Sequence, residues 1–140
     1  MEKVNYSKFA DTLGITLVLV LVLQYILGMY TALYIEIPED VSGWTFMGNS
    51  MVILSHVILG TLLAVAAIWL LAASIKKMNR FWILFSVFGL AGISLALITG
   101  SAFMDGQSND NSFLMSLGLG ISLLSYAAGI YASAVTRKIN

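Results

Sequence analysis

The sequence predicts an all-α integral membrane protein, an up-down bundle of four helices. Hydrophobic residues make up 59% of the chain and charged residues only 10%, whereas a soluble domain carries about 25% charged residues. Four uncharged apolar runs follow one another, and each exceeds the roughly 20 residues that a helix needs to cross a bilayer. We expect one domain over residues 1–140, with spans at about 13–34, 51–73, 81–103 and 113–135.

The first span follows a polar segment, Met1 to Thr12, that contains Lys3 and Lys8. Asp11 or Thr12 suits the N-cap of this helix, because its side-chain oxygen can accept from a free backbone N–H. The basic start is typical of a signal peptide. The apolar run is too long for one, however, and no small-residue cleavage site follows, so we expect the span to be retained.

The second span runs from Met51 to Ala73 and carries the single histidine of the chain, His56. Before it lies the longest connection, Ile35 to Ser50, which contains Trp44, an aromatic residue suited to the membrane interface. His56 stands about 8 Å of helix inside the span. An unpaired polar group at that depth costs several kcal/mol, so the imidazole needs a hydroxyl, a carbonyl, a metal or a haem iron as partner.

The last two connections are the basic turn Ser74 to Arg80 and the turn-rich loop Met104 to Ser112, which ends in residues suited to cap the fourth helix. Short connections make neighbouring helices antiparallel, which predicts the up-down bundle. Small residues at four-residue spacing predict close helix approach. They form two stripes and two pairs: Gly92, Ala96 and Gly100; Ser125, Gly129 and Ser133; Gly28 and Ala32; Gly60 and Ala64.

The charges predict the orientation. All seven Lys and Arg residues lie in the N-terminal segment, the Ser74–Arg80 turn and the C-terminal tail. The Ile35–Ser50 and Met104–Ser112 loops have none and hold five of the seven acids. By the positive-inside rule, both termini are cytoplasmic and both of these loops lie outside the cell membrane. The spans contain no Asp, Glu, Lys or Arg, which argues against ion or proton transport.

Other features exclude classes of function. A net charge of zero without a long basic run argues against a nucleic-acid partner. The absence of Cys excludes disulfides, thiolate ligation, iron–sulfur clusters and covalently attached c-type haem. Because the sequence shows no acid pair, nucleophile and base set or phosphate loop, we expect no catalytic activity of its own. The expected partners are the lipid bilayer and either other membrane subunits or a second copy of the chain.

His56 and Gln24 are the candidate site residues. Gly60 lies one turn beyond His56 on the same helix face, which would leave room beneath the imidazole for a flat ligand such as a porphyrin. Alternatively, Gly60 only lets a neighbouring helix approach, while His56 bonds a Ser, Thr or Tyr of the bundle. Gln24 lies near the middle of the first span, where its amide needs a partner on another helix. Both interpretations of His56 stay open from the residues alone.

A soft metal site is a further hypothesis. Five methionines lie at outer levels of the spans, and with His56 they would suit copper: Met29, Met47, Met51, Met104 and Met115. Met51 and Met115 are the candidate ligands. More often, such methionines fill gaps in a core or interface, so copper is the less favoured cofactor.

The segment Gln24-Tyr25-Ile26-Leu27-Gly28, the long outer loop and His56 resemble one four-helix half of the haem A synthase family. The last two spans loosely resemble a repeat of the first two, with Phe88 to Gly92 in the place of Gln24 to Gly28. The resemblance implies a haem site with His56 as axial ligand. Ile53 and Val57 stand where that family carries Glu and Arg.

The matching part of the fourth span has Phe113, Leu114 and Met115, so the family's second axial histidine is absent. The resemblance therefore implies a haem held by His56 together with a Met, or with His56 of a second copy, rather than haem A synthesis.

The sequence as a whole leaves two functions open. The first is an accessory subunit of a larger respiratory or other redox complex in the membrane. The alternative is a b-type haem protein.

Overall fold

The computed structural model describes residues 2–38 and 40–139, and helices form most of that range. The helices are α1 (Glu2–Tyr34), α2 (Gly43–Met47), α3 (Met51–Lys76), α4 (Arg80–Gly106) and α5 (Asn109–Ile139). Four are long and apolar enough to cross a membrane, over Lys8–Tyr34, Met51–Lys76, Arg80–Gly106 and Asn109–Lys138. The predicted all-α four-helix membrane bundle is confirmed. Each helix extends beyond the span predicted from hydropathy.

The four long helices form a closed ring. Each packs against the next along the chain, and α5 returns to contact α1. The short helix α2 lies over one end of the bundle, against α3 and α4. That end, which also carries Asp105 and Asp110, is called the acidic end, and the opposite end, with Lys76 and Arg137, the basic end.

The predicted N-cap of α1 is wrong, because the helix runs through Asp11 and Thr12. Asp11 is only 6% exposed, and its carboxylate lies 2.7 Å from the guanidinium of Arg137 on α5. This ion pair keeps the start of α1 against α5, so the polar segment continues the helix instead of preceding it. The N-caps of α3 and α4 are Ser50 and Asn79, whose side chains accept from backbone N–H groups three residues on.

The loop predicted at Met104 to Ser112 is much shorter in the structure. Only residues 107–108 separate α4 from α5. Gln107 reverses the chain with a left-handed backbone at φ 49°, and the Ser108 hydroxyl accepts from the backbone N–H of Asp110 at 3.2 Å. Ser108 therefore acts as the cap, and the Asn, Asp and Ser residues expected to do so already lie within α5.

Small residues bring α4 and α5 close together, as the sequence predicted for the Gly92 stripe. A Cβ atom on Gly92 would lie 2.5 Å from the carbonyl oxygen of Gly118, and one on Gly118 would lie equally close to that of Gly92. The Ser122 hydroxyl donates to the carbonyl of Gly89 at 2.9 Å across the same interface. In the second stripe only Gly129 is fully buried, and Ser125 and Ser133 are half-buried.

Large side chains fill the bundle toward the basic end. Trp82 is 1% exposed, and its indole ring lies against Gly14 of α1 and Gly129 of α5. Leu17 and Tyr126 belong to the same buried cluster. The tightly packed core therefore occupies this half of the bundle, and the half nearer the acidic end is the one that contains a cavity.

Candidate functional site

Gln24 of α1 and His56 of α3 form a hydrogen-bonded pair between their helices. The side-chain nitrogen of Gln24 donates to the backbone carbonyl of His56 at 2.9 Å and lies 3.2 Å from Nε2 of the imidazole. An amide nitrogen carries two hydrogens, so it can serve both acceptors. Nε2 is then the acceptor of the ring, and the hydrogen-bond network assigns the ring proton to Nδ1.

Two glycines make room for this pair. Gly28 lies one turn beyond Gln24, and a Cβ atom there would be 3.1 Å from Cε1 of His56. Gly60 lies one turn beyond His56, and a Cβ atom there would be 3.1 Å from the side-chain nitrogen of Gln24. Each polar side chain thus packs on the glycine of the opposite helix. We call Gln24, Gly28, His56 and Gly60 the Gln24–His56 cluster.

The contacts of the cluster decide two expectations from the sequence, the partner of Gln24 and the partner of His56. Gln24 has the interhelical partner that was predicted for it. That partner is His56, and the expectation that His56 bonds a Ser, Thr or Tyr is wrong. The room beside Gly60 is filled by the Gln24 amide instead of lying open beneath the imidazole. The sequence analysis did not predict this pairing. The available signal was that both polar residues are followed by a glycine four residues later.

A cavity of about 280 Å³ adjoins the cluster in the acidic-end half of the bundle. All four long helices contribute to its walls, which are mostly apolar, and the whole Gln24–His56 cluster lines it. Tyr25, Met29 and Trp44 also line the cavity and are each at least 40% exposed. The cavity is therefore open in part to the surface of the bundle.

Two polar atoms of the pair have no hydrogen-bond partner. Oε1 of Gln24 and Nδ1 of His56 are both buried, and Gln24 as a whole is only 8% exposed. A buried polar group without a partner costs about 1–3 kcal/mol. Trp82, Ser86 and Tyr126 also hold unpartnered buried atoms, but they lie outside the cavity walls. Gln24 and His56 are thus the lining residues that combine unmet hydrogen-bonding capacity with an adjacent space.

The candidate metal ligands fall in different places. Met115 lines the cavity together with His56, and so do Met29 and Met104. Met51 is 76% exposed and lies outside the cavity walls. Among the described residues, no three His, Asp or Glu side chains lie close enough together to hold a metal ion.

As the side chains stand, His56 offers no free ring nitrogen to a haem iron. Nε2 is engaged by Gln24, and Nδ1 is buried and holds the ring proton. The cavity of about 280 Å³ also lies just below the range of roughly 300–1,000 Å³ typical of small-molecule sites, which favours a single ring over a porphyrin. Ligation through Nε2 would require the Gln24 amide to turn away.

Comparison with protein-family models, with curated proteins and with solved structures finds no match for this chain. The resemblance to the haem A synthase family therefore stays a prediction that depends on Gln24 to Gly28 and His56.

The pairing of Gln24 with His56 predicts a measurable coupling energy. We expect Gln24→Leu and His56→Leu each to lower the free energy of unfolding by about 0.6–2 kcal/mol, the range for interhelical hydrogen bonds in membranes. The double variant should lose less than the sum, because each single change already breaks the pair. Equilibrium unfolding of all four proteins in one lipid or detergent system measures this.

Thr31→Val is the matched control for this cycle. Thr31 also lies on α1 and lines the cavity, but its hydroxyl donates to the carbonyl of Leu27 within its own helix. Its replacement should change the free energy of unfolding little and show no coupling with His56→Leu. Strictly additive losses for Gln24→Leu and His56→Leu would show that the two side chains do not interact.

Proposed function

We propose that this protein is a non-catalytic subunit of a larger membrane complex and contacts its partner through the lipid-facing side of α5. The exposed side of α5 includes the large residues Leu124 and Tyr131, and the proposal is carried by the small residues that lie among them. A Cβ atom on Gly120 would meet no atom within 4 Å, and Ala127 and Ala128 are exposed. Small outward residues on a membrane helix allow another helix to approach closely.

The compactness of the connections supports a lateral partner. Residues 77–79 and 107–108 are all that separates α3 from α4 and α4 from α5. The connection after α1 folds back on the bundle, where Gly43 lies against Met104. The connections therefore offer little surface to a partner, and most of the contact surface lies on the sides of the helices. The redox class of the complex depends on the resemblance of Gln24 to Gly28 and His56 to a haem-binding family.

The α5 surface can be tested without disturbing the interior of the bundle. We expect the wild-type protein, extracted in mild detergent, to migrate with larger membrane subunits or as a dimer on native gels. Gly120→Leu should release a monomer of 15.2 kDa, because the added side chain occupies the space of the partner helix. Mass spectrometry of the native bands identifies what was lost.

Ala91→Leu is the control, since Ala91 is an exposed small residue on the neighbouring helix α4. It should leave the complex intact. A wild-type protein that runs as a clean monomer, or equal loss of the complex in both variants, would count against a partner on α5.

We further propose that the protein lies in the plasma membrane and that its basic end faces the cytoplasm. The helices separate the charges to opposite ends: Lys76 and Arg137 lie at one, Asp40, Asp105 and Asp110 at the other. Lys and Arg are retained on the cytoplasmic side during insertion, so this separation favours an acidic end outside.

Single cysteines test the orientation, because the chain has none of its own. Asn109→Cys at the acidic end and Met78→Cys at the basic end both replace exposed residues. In intact cells, an impermeant maleimide should label the first and reach the second only after the membrane is opened. Labelling of Met78→Cys alone in intact cells would reverse the orientation.

Haem binding is the alternative function, and one feature of the cavity favours it. Met29, Met104 and Met115 line the same cavity as His56, so one of these methionines would supply the second iron ligand. For this function, Gln24 would have to release Nε2 of His56. The resemblance to the haem A synthase family is the other support for haem binding.

Absorption spectra separate the two functions. We expect protein purified from its native membrane to lack stoichiometric haem, because Gln24 engages Nε2 of His56. A Soret band that persists in Gln24→Leu and disappears in His56→Ala would contradict this expectation and establish haem ligation. Gln24→Leu is informative here because it frees the nitrogen that a haem iron would need.

A further inference from the structure

We propose that the cavity binds the ring of a lipid-soluble quinol, whose hydroxyl group bridges Gln24 and His56. Such binding is independent of the partner proposed for α5. Two atoms lack hydrogen-bond partners: Nδ1 of His56 carries the ring proton and needs an acceptor, and Oε1 of Gln24 needs a donor.

A hydroxyl group meets both needs, because its oxygen accepts while its hydrogen donates. A carbonyl oxygen can accept from His56 but leaves Oε1 of Gln24 without a donor. A carboxylate or an ammonium group would bring an uncompensated charge into the membrane interior, which is costly. The pair therefore favours a hydroxyl over the corresponding carbonyl, and for a quinone couple this means the reduced form over the oxidised form.

The cavity agrees with a ring that belongs to a larger apolar molecule. Its volume of about 280 Å³ lies just below the usual range for small-molecule sites, which suits a single ring, and its walls are mostly apolar. Tyr25, Met29 and Trp44 lie at the wall and are partly exposed. A chain attached to the ring can pass between such residues into the surrounding lipid, so the ligand is expected from the lipid phase.

Calorimetric titration of the full chain in lipid nanodiscs, without oxygen, tests the proposal. The probes are trimethylhydroquinone and trimethylbenzoquinone, which share one ring and differ in hydroxyl against carbonyl groups. We expect the hydroquinone to bind at least tenfold more tightly than the benzoquinone. Gln24→Leu should weaken hydroquinone binding at least tenfold and abolish the preference. Thr61→Val should change neither affinity, because Thr61 lies outside the cavity walls and its hydroxyl donates to the Val57 carbonyl within α3.

Each outcome decides the proposal. Equal affinities of the two probes for the wild-type protein would overturn the bridging hydroxyl, and this comparison requires no variant that has to fold. Binding of neither probe would overturn the site itself. Loss of the preference in Thr61→Val as well as in Gln24→Leu would show that the preference does not originate at Gln24 and would overturn the bridging hydroxyl.

Discussion

A polar side chain inside a bilayer has no water to bond, so its partner must come from the protein, and the contact of α1 with α3 is built around this constraint. Gln24 and His56 lie on opposite helices and satisfy each other in part, through the amide nitrogen, the imidazole and a backbone carbonyl. Gly28 and Gly60 allow the pair to fit, because a side chain at either position would press on the opposite partner.

The two halves of the bundle meet different demands. Toward the basic end, Trp82 fills the space between α1, α4 and α5, and the ion pair of Asp11 with Arg137 joins the helix ends. Toward the acidic end, the helices enclose an open volume next to the Gln24–His56 cluster. Close packing in one half of the bundle thus adjoins a cavity in the other half.

Much of the fold could be predicted from the sequence, because crossing a bilayer requires long uncharged runs and these are visible in one dimension. The helix ends were less predictable. Asp11 looks like a cap until Arg137, near the other end of the chain, is placed beside it. The pairing of Gln24 with His56 depends on the rotation of two helices that are apolar on nearly every side, so hydropathy does not reveal it. The cavity is a volume left unfilled by distant residues, for which no local pattern exists.

We infer that Gln24 holds His56 in one tautomer inside the membrane, and NMR spectroscopy tests this directly. Because the chain has a single histidine, ¹⁵N-histidine labelling yields only two ring-nitrogen signals in solid-state NMR spectra of the protein in bilayers. The expected result is a proton on Nδ1, an unprotonated Nε2 and a through-space contact from Nε2 to the side-chain amide of Gln24. A proton on Nε2, or an Nε2 signal displaced by iron and without that contact, would contradict it.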